Sequence, residues 1–367
     1  MASPVFIRPV SAQNEPSEEE LRRQFATVLQ SLDTERIKGH VQFFSSVSSR
    51  VTGYPGFFES VDYMVSKFSE YGIRPYGDNG TYFENYEVTV PVDHGASITL
   101  EDGTIIEGHN IWPNLVNPCP YVSPEAGDRL IYVGRGSFDD LESVNLTDRF
   151  VLMEFDSRWF FRLAAMFGAK GILYIGSEDA TRMEAIQKLY ACPVNLPRIY
   201  LTFEDGYRLR ELCREYDEIT ISISSFMEWQ KILVPNVLGF IPGTLTTNES
   251  AVISAYIDSW SIVPALAPGA TDSLGISVLL EIARFLSQHR PTRSVILLGV
   301  SGHWEGLWGA REFVDRHFAD IGRRIAFFAG MDLATGSGQL GVADLGSSYA
   351  YRNIEILNGR YSWLVAR

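Results

Sequence analysis

From residue 233 onward, apolar strand-like runs alternate with helical segments. The helical patterns VLLEIARFLSQH and GAREFVDRHF separate the runs SAVISAYI, RSVILLGV and IAFFAGM. Strands that alternate with helices in this way build a largely parallel sheet, and the crossover helices cover its faces. The pattern therefore predicts an α/β fold, specifically a three-layer αβα domain with a mostly parallel sheet.

Polar residues follow these runs at the places where a parallel sheet collects its chemistry. Asp258, His303 and Asp332 each come just after one run, and Asp272 lies on the loop that leads into the first helix. In open α/β sheets, ligands bind beyond the carboxyl ends of the strands. We therefore expect these four side chains to share one site.

The composition and the net charge restrict the kinds of partner that the protein can bind. Of the 367 residues, 46% are hydrophobic, which is enough to bury one large core or two moderate ones. A formal net charge of -14 argues against a nucleic-acid partner, because phosphate binding needs clustered Lys and Arg. The chain has no apolar run long enough to cross a bilayer, so any membrane attachment would use segments outside this sequence.

The residues before 233 predict two further parts. Residues 17–111 show helical periodicity at 37–47 and 57–71, and then period-two patterns around the turn EDGT. Residues 112–232 alternate short buried strands with helices, which predicts a compact α/β unit. We expect 17–111 and 233–367 to form one domain, into which 112–232 is inserted.

The N-terminus and the cysteines give weaker signals. The residues VSA before Gln13 are typical of the end of an export signal, and Ser17 is the expected cap of an amphipathic helix. We therefore expect an extracytoplasmic or secreted protein, in which the sequons at Asn145 and Asn248 would matter. Three cysteines are too few for a disulfide framework, so buried thiols are expected, with a single disulfide as the alternative.

Two longer stretches resemble known modules. FVLMEFDSRWFFRLAAMFGAKGILYIGS, followed by LPRIYLTFEDGYRL, resembles the protease-associated domain that accompanies several peptidases. SSRVTGYPG, NVLGFIPG and above all GATDSLGISVLLEIARFL resemble zinc-dependent aminopeptidases and glutamate carboxypeptidases of peptidase family M28. This resemblance implies two zinc ions that share one aspartate and activate a hydroxide for attack on a peptide bond.

Several metal-site residues of that family are replaced in this chain. The family's His-x-Asp pair reads Tyr256-Ile257-Asp258, Asp272 matches the bridging carboxylate, and Asp332 matches a further ligand. The family's two adjacent glutamates, a general base and a metal ligand, become His303 and Trp304. The family's last histidine ligand has no counterpart after His317, and we expect the third part to be incomplete at its C-terminus.

These replacements predict a degenerate site. The two retained aspartates would hold zinc weakly, since catalytic zinc normally has about three protein ligands. We therefore predict no cofactor, no catalysis, and binding of a protein or peptide partner, with homodimer formation as a further possibility. In this respect the chain resembles the transferrin receptor ectodomain. The expected binding residues are Tyr256, Asp258, Trp260 and Trp304.

Two alternative functions stay open. The first is a zinc-dependent exopeptidase with a rearranged site made by His303, Asp272 and Asp332. A one-residue shift that makes Glu305 the ligand is disfavoured, because it misplaces the Gly-Leu-x-Gly turn. The second is a small-molecule carrier that uses the cleft between the two domains. In a metal-free site, His303 would be the cation that balances the aspartates.

Overall fold

The computed structural model describes residues 17–113, 118–190, 193–245, 247–321 and 323–333. The α-helices within these ranges are α1 (Glu18–Ser31), α2 (Thr34–Ser46), α3 (Pro55–Glu70), α4 (Phe138–Leu141), α5 (Phe161–Met166), α6 (Arg182–Tyr190), α7 (Phe203–Tyr216), α8 (Leu274–Gln288) and α9 (Trp308–His317). Two short 3-10 turns, Asp78–Gly80 and Thr271–Ser273, accompany them. The second of these turns leads directly into α8.

The strands of the described residues join in one sheet. They are β1 (Arg74–Pro75), β2 (Phe83–Leu100), β3 (Ile105–Asn110), β4 (Tyr121–Val122), β5 (Asp128–Tyr132), β6 (Phe150–Glu154), β7 (Gly171–Ile175), β8 (Arg198–Leu201), β9 (Glu218–Ile241), β10 (Ser250–Tyr256), β11 (Ser294–Val300) and β12 (Ile325–Gly330). The main order is β12-β10-β11-β9-β2-β3-β8-β7-β6-β5, and β1 and β4 pair with β9.

The predicted α/β fold is confirmed at the strands that carry the candidate site. β10 lies between β11 and β12 and is parallel to both. Tyr256 at the end of β10 pairs in register with Val300 at the end of β11. The loops that follow these strands therefore leave the sheet at the same edge.

Helices cover both faces of this part of the sheet, which gives the three expected layers. Residues of α2, α3 and α8 pack with Val295 and Leu297 of β11 in one core. The alternating neighbours Ile296 and Leu298 pack with Phe313 of α9 in another core. Side chains of a strand point alternately to opposite faces, so β11 is apolar on both sides, as expected for a buried parallel strand.

Two long antiparallel strands, β2 and β9, connect the site-bearing strands to the rest of the sheet. They pair from Phe83 with Val237 to Leu100 with Ile221. Beyond them, β5 to β8 form a second parallel group. β9 runs across the expected boundary between residues 232 and 233. The division into three parts and the protease-associated identity of 112–232 stay predictions.

Local expectations at the N-terminal side agree with the structure. The Ser17 side chain accepts a hydrogen bond from the Glu20 backbone N–H and caps α1. The turn at 101–104 joins β2 to antiparallel β3, with Gly103 at a positive φ of 83°. Of the expected buried thiols, Cys213 is buried and Cys119 is half-buried. Cys192, the export-signal residues before Gln13 and the C-terminal residues after 333 lie outside the described residues. No helix in the described ranges has the length and apolar character needed to cross a membrane.

Candidate functional site

The candidate site lies where β10, β11 and β12 end. Asp258 follows β10, His303 and Trp304 follow β11, and Asp332 follows β12. Asp272 belongs to the 3-10 turn before α8 and is buried. The structure thus brings the residues expected from the sequence to one edge of the sheet, although their partners differ from those expected.

Asp258 organises the loop that follows β11. Its side chain is fully buried, and Oδ2 accepts hydrogen bonds from the Thr52 hydroxyl at 3.0 Å and the His303 backbone N–H at 2.9 Å. Oδ1 is buried and accepts no hydrogen bond from the described residues. Burial raises the pKa of Asp258 to about 7, although these hydrogen bonds oppose the shift. The donors to Asp258 are thus a hydroxyl from an early loop and a backbone N–H of the loop after β11.

Glu305 is a site residue that we had considered only as a disfavoured metal ligand. Both of its carboxylate oxygens are buried, and neither has a hydrogen-bond partner among the described residues. Burial and the charge of Asp258 raise its pKa well above the usual value. The turn explains its position, because Gly306 and Leu307 both have positive φ angles and reverse the chain directly after it.

Two arginines supply the positive charge near Asp272. The Arg182 guanidinium at the start of α6 lies 3.9 Å from Asp272 Oδ1. Burial raises the pKa of Asp272, whereas the charges of Arg182 and Arg50 lower it. Asp272 Oδ2 accepts a weak 3.4 Å hydrogen bond from the Trp260 backbone N–H. Asp272 therefore contacts a cation from the 112–232 segment, a role that the sequence did not reveal.

His303 does not act as the expected counter-cation. Its ring stacks on Tyr256 with centroids 4.3 Å apart, and burial lowers its pKa more than the charge of Asp332 raises it. The Tyr256 hydroxyl donates a 3.0 Å hydrogen bond to Asp332 Oδ1. His303 is therefore favoured as a neutral imidazole, and the expectation that it balances the aspartates is corrected in favour of Arg182 and Arg50.

Trp304 occupies the position that a metal-binding glutamate would take in the expected register. The Arg182 guanidinium lies over its ring at 4.9 Å, and the Trp260 ring centroid is 6.1 Å away. Its indole N–H is buried without a partner among the described residues. An indole has no lone pair to offer a metal ion, so Trp304 contributes an aromatic surface to the site.

A cavity of about 310 Å³ opens beside these residues, between the 112–232 segment and the loops of the sheet. Arg182 and Asp272 lie among its lining residues, and apolar surface comes from Phe155, Tyr200, Trp260 and Leu266. The cavity thus combines two opposite charges with aromatic walls. That combination suits a small ligand with an apolar body and a charged end.

Part of the chain is similar in sequence to known peptidases. Residues 236–352 match the model of peptidase family M28. A probable zinc metalloprotease of Pyrenophora teres is 30% identical over 104 residues, which is 25% of this chain and 21% of that protein. A vacuolar membrane protease of Schizophyllum commune is 31% identical over 87 residues, which is 23% of this chain and 9% of that protein. The matched segment thus spans about a fifth or less of these relatives.

A solved structure shares the fold over most of the chain. The peptidase M28 precursor of Shewanella amazonensis aligns with a TM-score of 0.51 and 18% identity, covering 84% of this chain and 72% of that one. At this level of identity the likeness concerns the fold. It agrees with the three-layer arrangement described above.

The prediction that the chain has no cofactor is contradicted by its relatives. Their names as zinc metalloproteases point to the use of zinc in this family. In the described part of this chain, however, no group of three or more His, Cys, Asp and Glu side chains is arranged to hold a metal ion. Tyr256 and Trp304 do not fit the two-zinc arrangement that the resemblance implies, so we derive no reaction step through zinc. Residues 236–352 thus match peptidase family M28, and most of the chain shares the fold of a solved M28 structure.

Proposed function

We propose that this M28-like chain binds a peptide or protein segment at the Asp272 edge of the sheet without performing two-metal peptide hydrolysis. The observation that carries the proposal is the position of Arg182. Its guanidinium lies over Trp304 and 3.9 Å from Asp272, so a protein cation accompanies a carboxylate that the family uses for metal. The general-base position holds His303, whose stacking on Tyr256 limits its freedom to approach a substrate.

The adjacent cavity supports a peptide as the ligand. A peptide end carries one charge beside apolar side chains, and the cavity offers Arg182 and Asp272 next to the rings of Trp260 and Tyr200. Its volume of about 310 Å³ lies at the small end of the usual range for ligand sites. Such a cavity would hold one or two residues of a chain terminus, and the exposed loops around it would contact the rest of the partner.

The experiment measures binding and hydrolysis on the same preparation, purified without chelator. We expect saturable binding of short apolar peptides, detected by calorimetry, and no zinc-dependent release of nitroaniline from an amino-acid nitroanilide. Trp260→Ala should weaken binding, because it removes a wall of the cavity. Trp229→Ala is the matched control, since Trp229 is exposed on β9 and does not line the cavity.

A zinc-dependent exopeptidase with a rearranged site is the second candidate. Two contacts of Tyr256 favour it. The Tyr256 hydroxyl donates to Asp332 and the Tyr256 ring stacks on His303, so one side chain contacts two of the three proposed ligands. The names of the relatives also agree with zinc chemistry. Zinc-dependent turnover that disappears in His303→Ala would establish this candidate and refute the binding proposal.

The cellular setting and the assembly state belong to the same proposal. We propose an extracytoplasmic or secreted location from the residues before Gln13. A protein or peptide partner accords with the cavity, and homodimer formation is compatible with it. Fractionation of the expressed full-length protein and sedimentation analysis would test the location and the assembly state.

A further inference from the structure

At the loop that follows β11, four buried oxygen atoms have no hydrogen-bond partner among the described residues. They are Oδ1 of Asp258, both carboxylate oxygens of Glu305 and the hydroxyl of Tyr86, each without a partner among the described residues. A buried carboxylate without a partner is costly, and two of them together are more so. The negative charge of these neighbouring carboxylates therefore has to be balanced by a positive charge or by a bound proton.

Contacts with neighbouring atoms place these groups together. The Thr52 hydroxyl donates to Asp258 Oδ2 and accepts from the Gly302 backbone N–H, both at 3.0 Å. A Cβ atom built on Gly302 would lie 3.1 Å from the Tyr86 hydroxyl, and one built on Gly309 would lie 2.7 Å from it. The Tyr86 hydroxyl thus lies against the same loop whose N–H groups bind Asp258.

Glu305 belongs to the same cluster. Its carboxyl group interacts electrostatically with Asp258, and both carboxyl groups act on the Tyr86 hydroxyl. Thr52 is also close to Glu305, but its single hydroxyl proton is donated to Asp258. Thr52 therefore leaves the oxygens of Glu305 without a donor.

The nearest buried arginine does not balance this charge by direct contact. All three guanidinium nitrogens of Arg50 donate to backbone carbonyls, at Ile257, Pro268 and Gly269. Arg182 lies beside Asp272 and Trp304, on the cavity side of the site. The cluster thus contains two carboxyl groups, a phenol and a hydroxyl, without a contacting cation in the described residues.

We propose that Asp258, Glu305, Tyr86 and Thr52 form a site for one oxygen-preferring divalent cation of the calcium type. Calcium takes six to eight oxygen ligands in flexible arrangements, and carboxylates with neutral oxygens are its usual protein donors. Zinc prefers nitrogen and sulfur donors, which this cluster lacks. The site shares Asp258 with the family's His-x-Asp pair, but it uses neither Asp272 nor Asp332, the retained positions of the family's zinc ligands. It does not depend on the proposed peptide binding.

The test compares the thermal midpoint Tm of the full chain, first stripped by chelation, with and without Ca²⁺ at about 10 mM, a concentration that saturates sites of extracellular affinity. We expect Tm to rise by about 2 °C in the parent protein of 367 residues, from the gain expected when ligand exceeds Kd about tenfold. Tb³⁺ provides a direct readout, since its luminescence is sensitised by a nearby tyrosine or tryptophan. One Tb³⁺ per chain is expected.

Variants decide whether the ion binds at this cluster. Glu305→Gln should abolish the rise in Tm and the Tb³⁺ signal, and Tyr86→Phe should weaken the affinity. Asp332→Asn is the matched control, because it removes a carboxylate of the family's zinc positions and should keep both signals. If Glu305→Gln does not fold, the loss of affinity in Tyr86→Phe serves as the test.

Four results would overturn the proposal. One is the absence of a Ca²⁺ effect and of Tb³⁺ binding in the parent protein. The second is a Ca²⁺ effect that persists in Glu305→Gln with unchanged affinity. If Glu305→Gln does not fold, the corresponding result is a Ca²⁺ affinity that is unchanged in Tyr86→Phe. The third is a loss of the effect in Asp332→Asn, which would place the ion at the zinc positions. The fourth is stabilisation by Zn²⁺ with none by Ca²⁺.

Discussion

Replacing Asp258 with asparagine should stabilise the metal-free protein at alkaline pH and not at acidic pH. Asp258 is fully buried, and burial raises its pKa to about 7 from the usual 3.8. Asparagine keeps an oxygen that accepts from Thr52 and from the His303 backbone N–H. The asparagine side chain cannot ionise.

The direction and size of the effect follow from proton linkage. Between pH 3.8 and pH 7 the folded state holds the Asp258 proton that the unfolded chain has already released, so the free energy of unfolding falls as pH rises. The two pKa values differ by about 3, and each pKa unit corresponds to about 1.4 kcal/mol. Asp258 should therefore contribute a loss of about 4 kcal/mol across this range in the parent protein. The asparagine variant lacks this contribution, whereas any loss from Glu305 is common to both proteins.

Urea unfolding of parent and variant, in chelator, at several values between pH 5 and pH 8 measures this difference. The stability of Asp258→Asn relative to the parent should increase by about 3 kcal/mol between these limits. Asp62→Asn is the control, because Asp62 is exposed on α3 and is not one of the site residues, so its replacement should leave the pH dependence as it is in the parent. A difference between Asp258→Asn and the parent that stays constant with pH would refute the reasoning.

Three further variants test other parts of the structure. Arg182→Gln should weaken binding of peptides with a free carboxylate about tenfold in calorimetry, because the guanidinium lines the cavity; equal affinities would refute that role. Burial lowers the pKa of His40 to about 4, so its contribution to stability should fall by about 2 kcal/mol from pH 7 to pH 5. His40→Gln should remove that loss, as measured by urea unfolding at both pH values. Gly309→Ala should cost about 3 kcal/mol or more, because its Cβ would lie 2.2 Å from the Ser301 carbonyl oxygen; Gly39→Ala, in open space on α2, is its control.

The fold was predictable because its signals are local. Each site-bearing strand is a short apolar run bounded by polar or glycine residues, and α8 shows apolar residues at helical spacing. Parallel pairing of β10 with β11 and β12 then follows from the intervening helices. The edge at which Asp258, His303 and Asp332 meet could therefore be located before the structure was known.

The partners of these residues could not be predicted, because they come from distant segments. Arg182 reaches Asp272 from the 112–232 segment, and no periodicity in either stretch reports that contact. Thr52 reaches Asp258 from the distant SSRVTGYPG segment, whose resemblance to the family did not indicate this hydrogen bond. The inward position of Glu305 depends on the positive φ of Leu307, a conformation that an apolar residue rarely adopts.

The retention of aspartates on an M28-like scaffold has a structural explanation that does not require catalysis. Asp258 Oδ2 accepts hydrogen bonds from Thr52 and from the backbone N–H of His303, and so fixes the loop after β11 whatever side chains that loop carries. Asp272 precedes α8 and contacts Arg182. Because both carboxylates have partners within the protein, their presence is poor evidence for hydrolysis. The unpartnered oxygens of Asp258 and Glu305 are more informative, since no hydrogen bond in the described residues accounts for them.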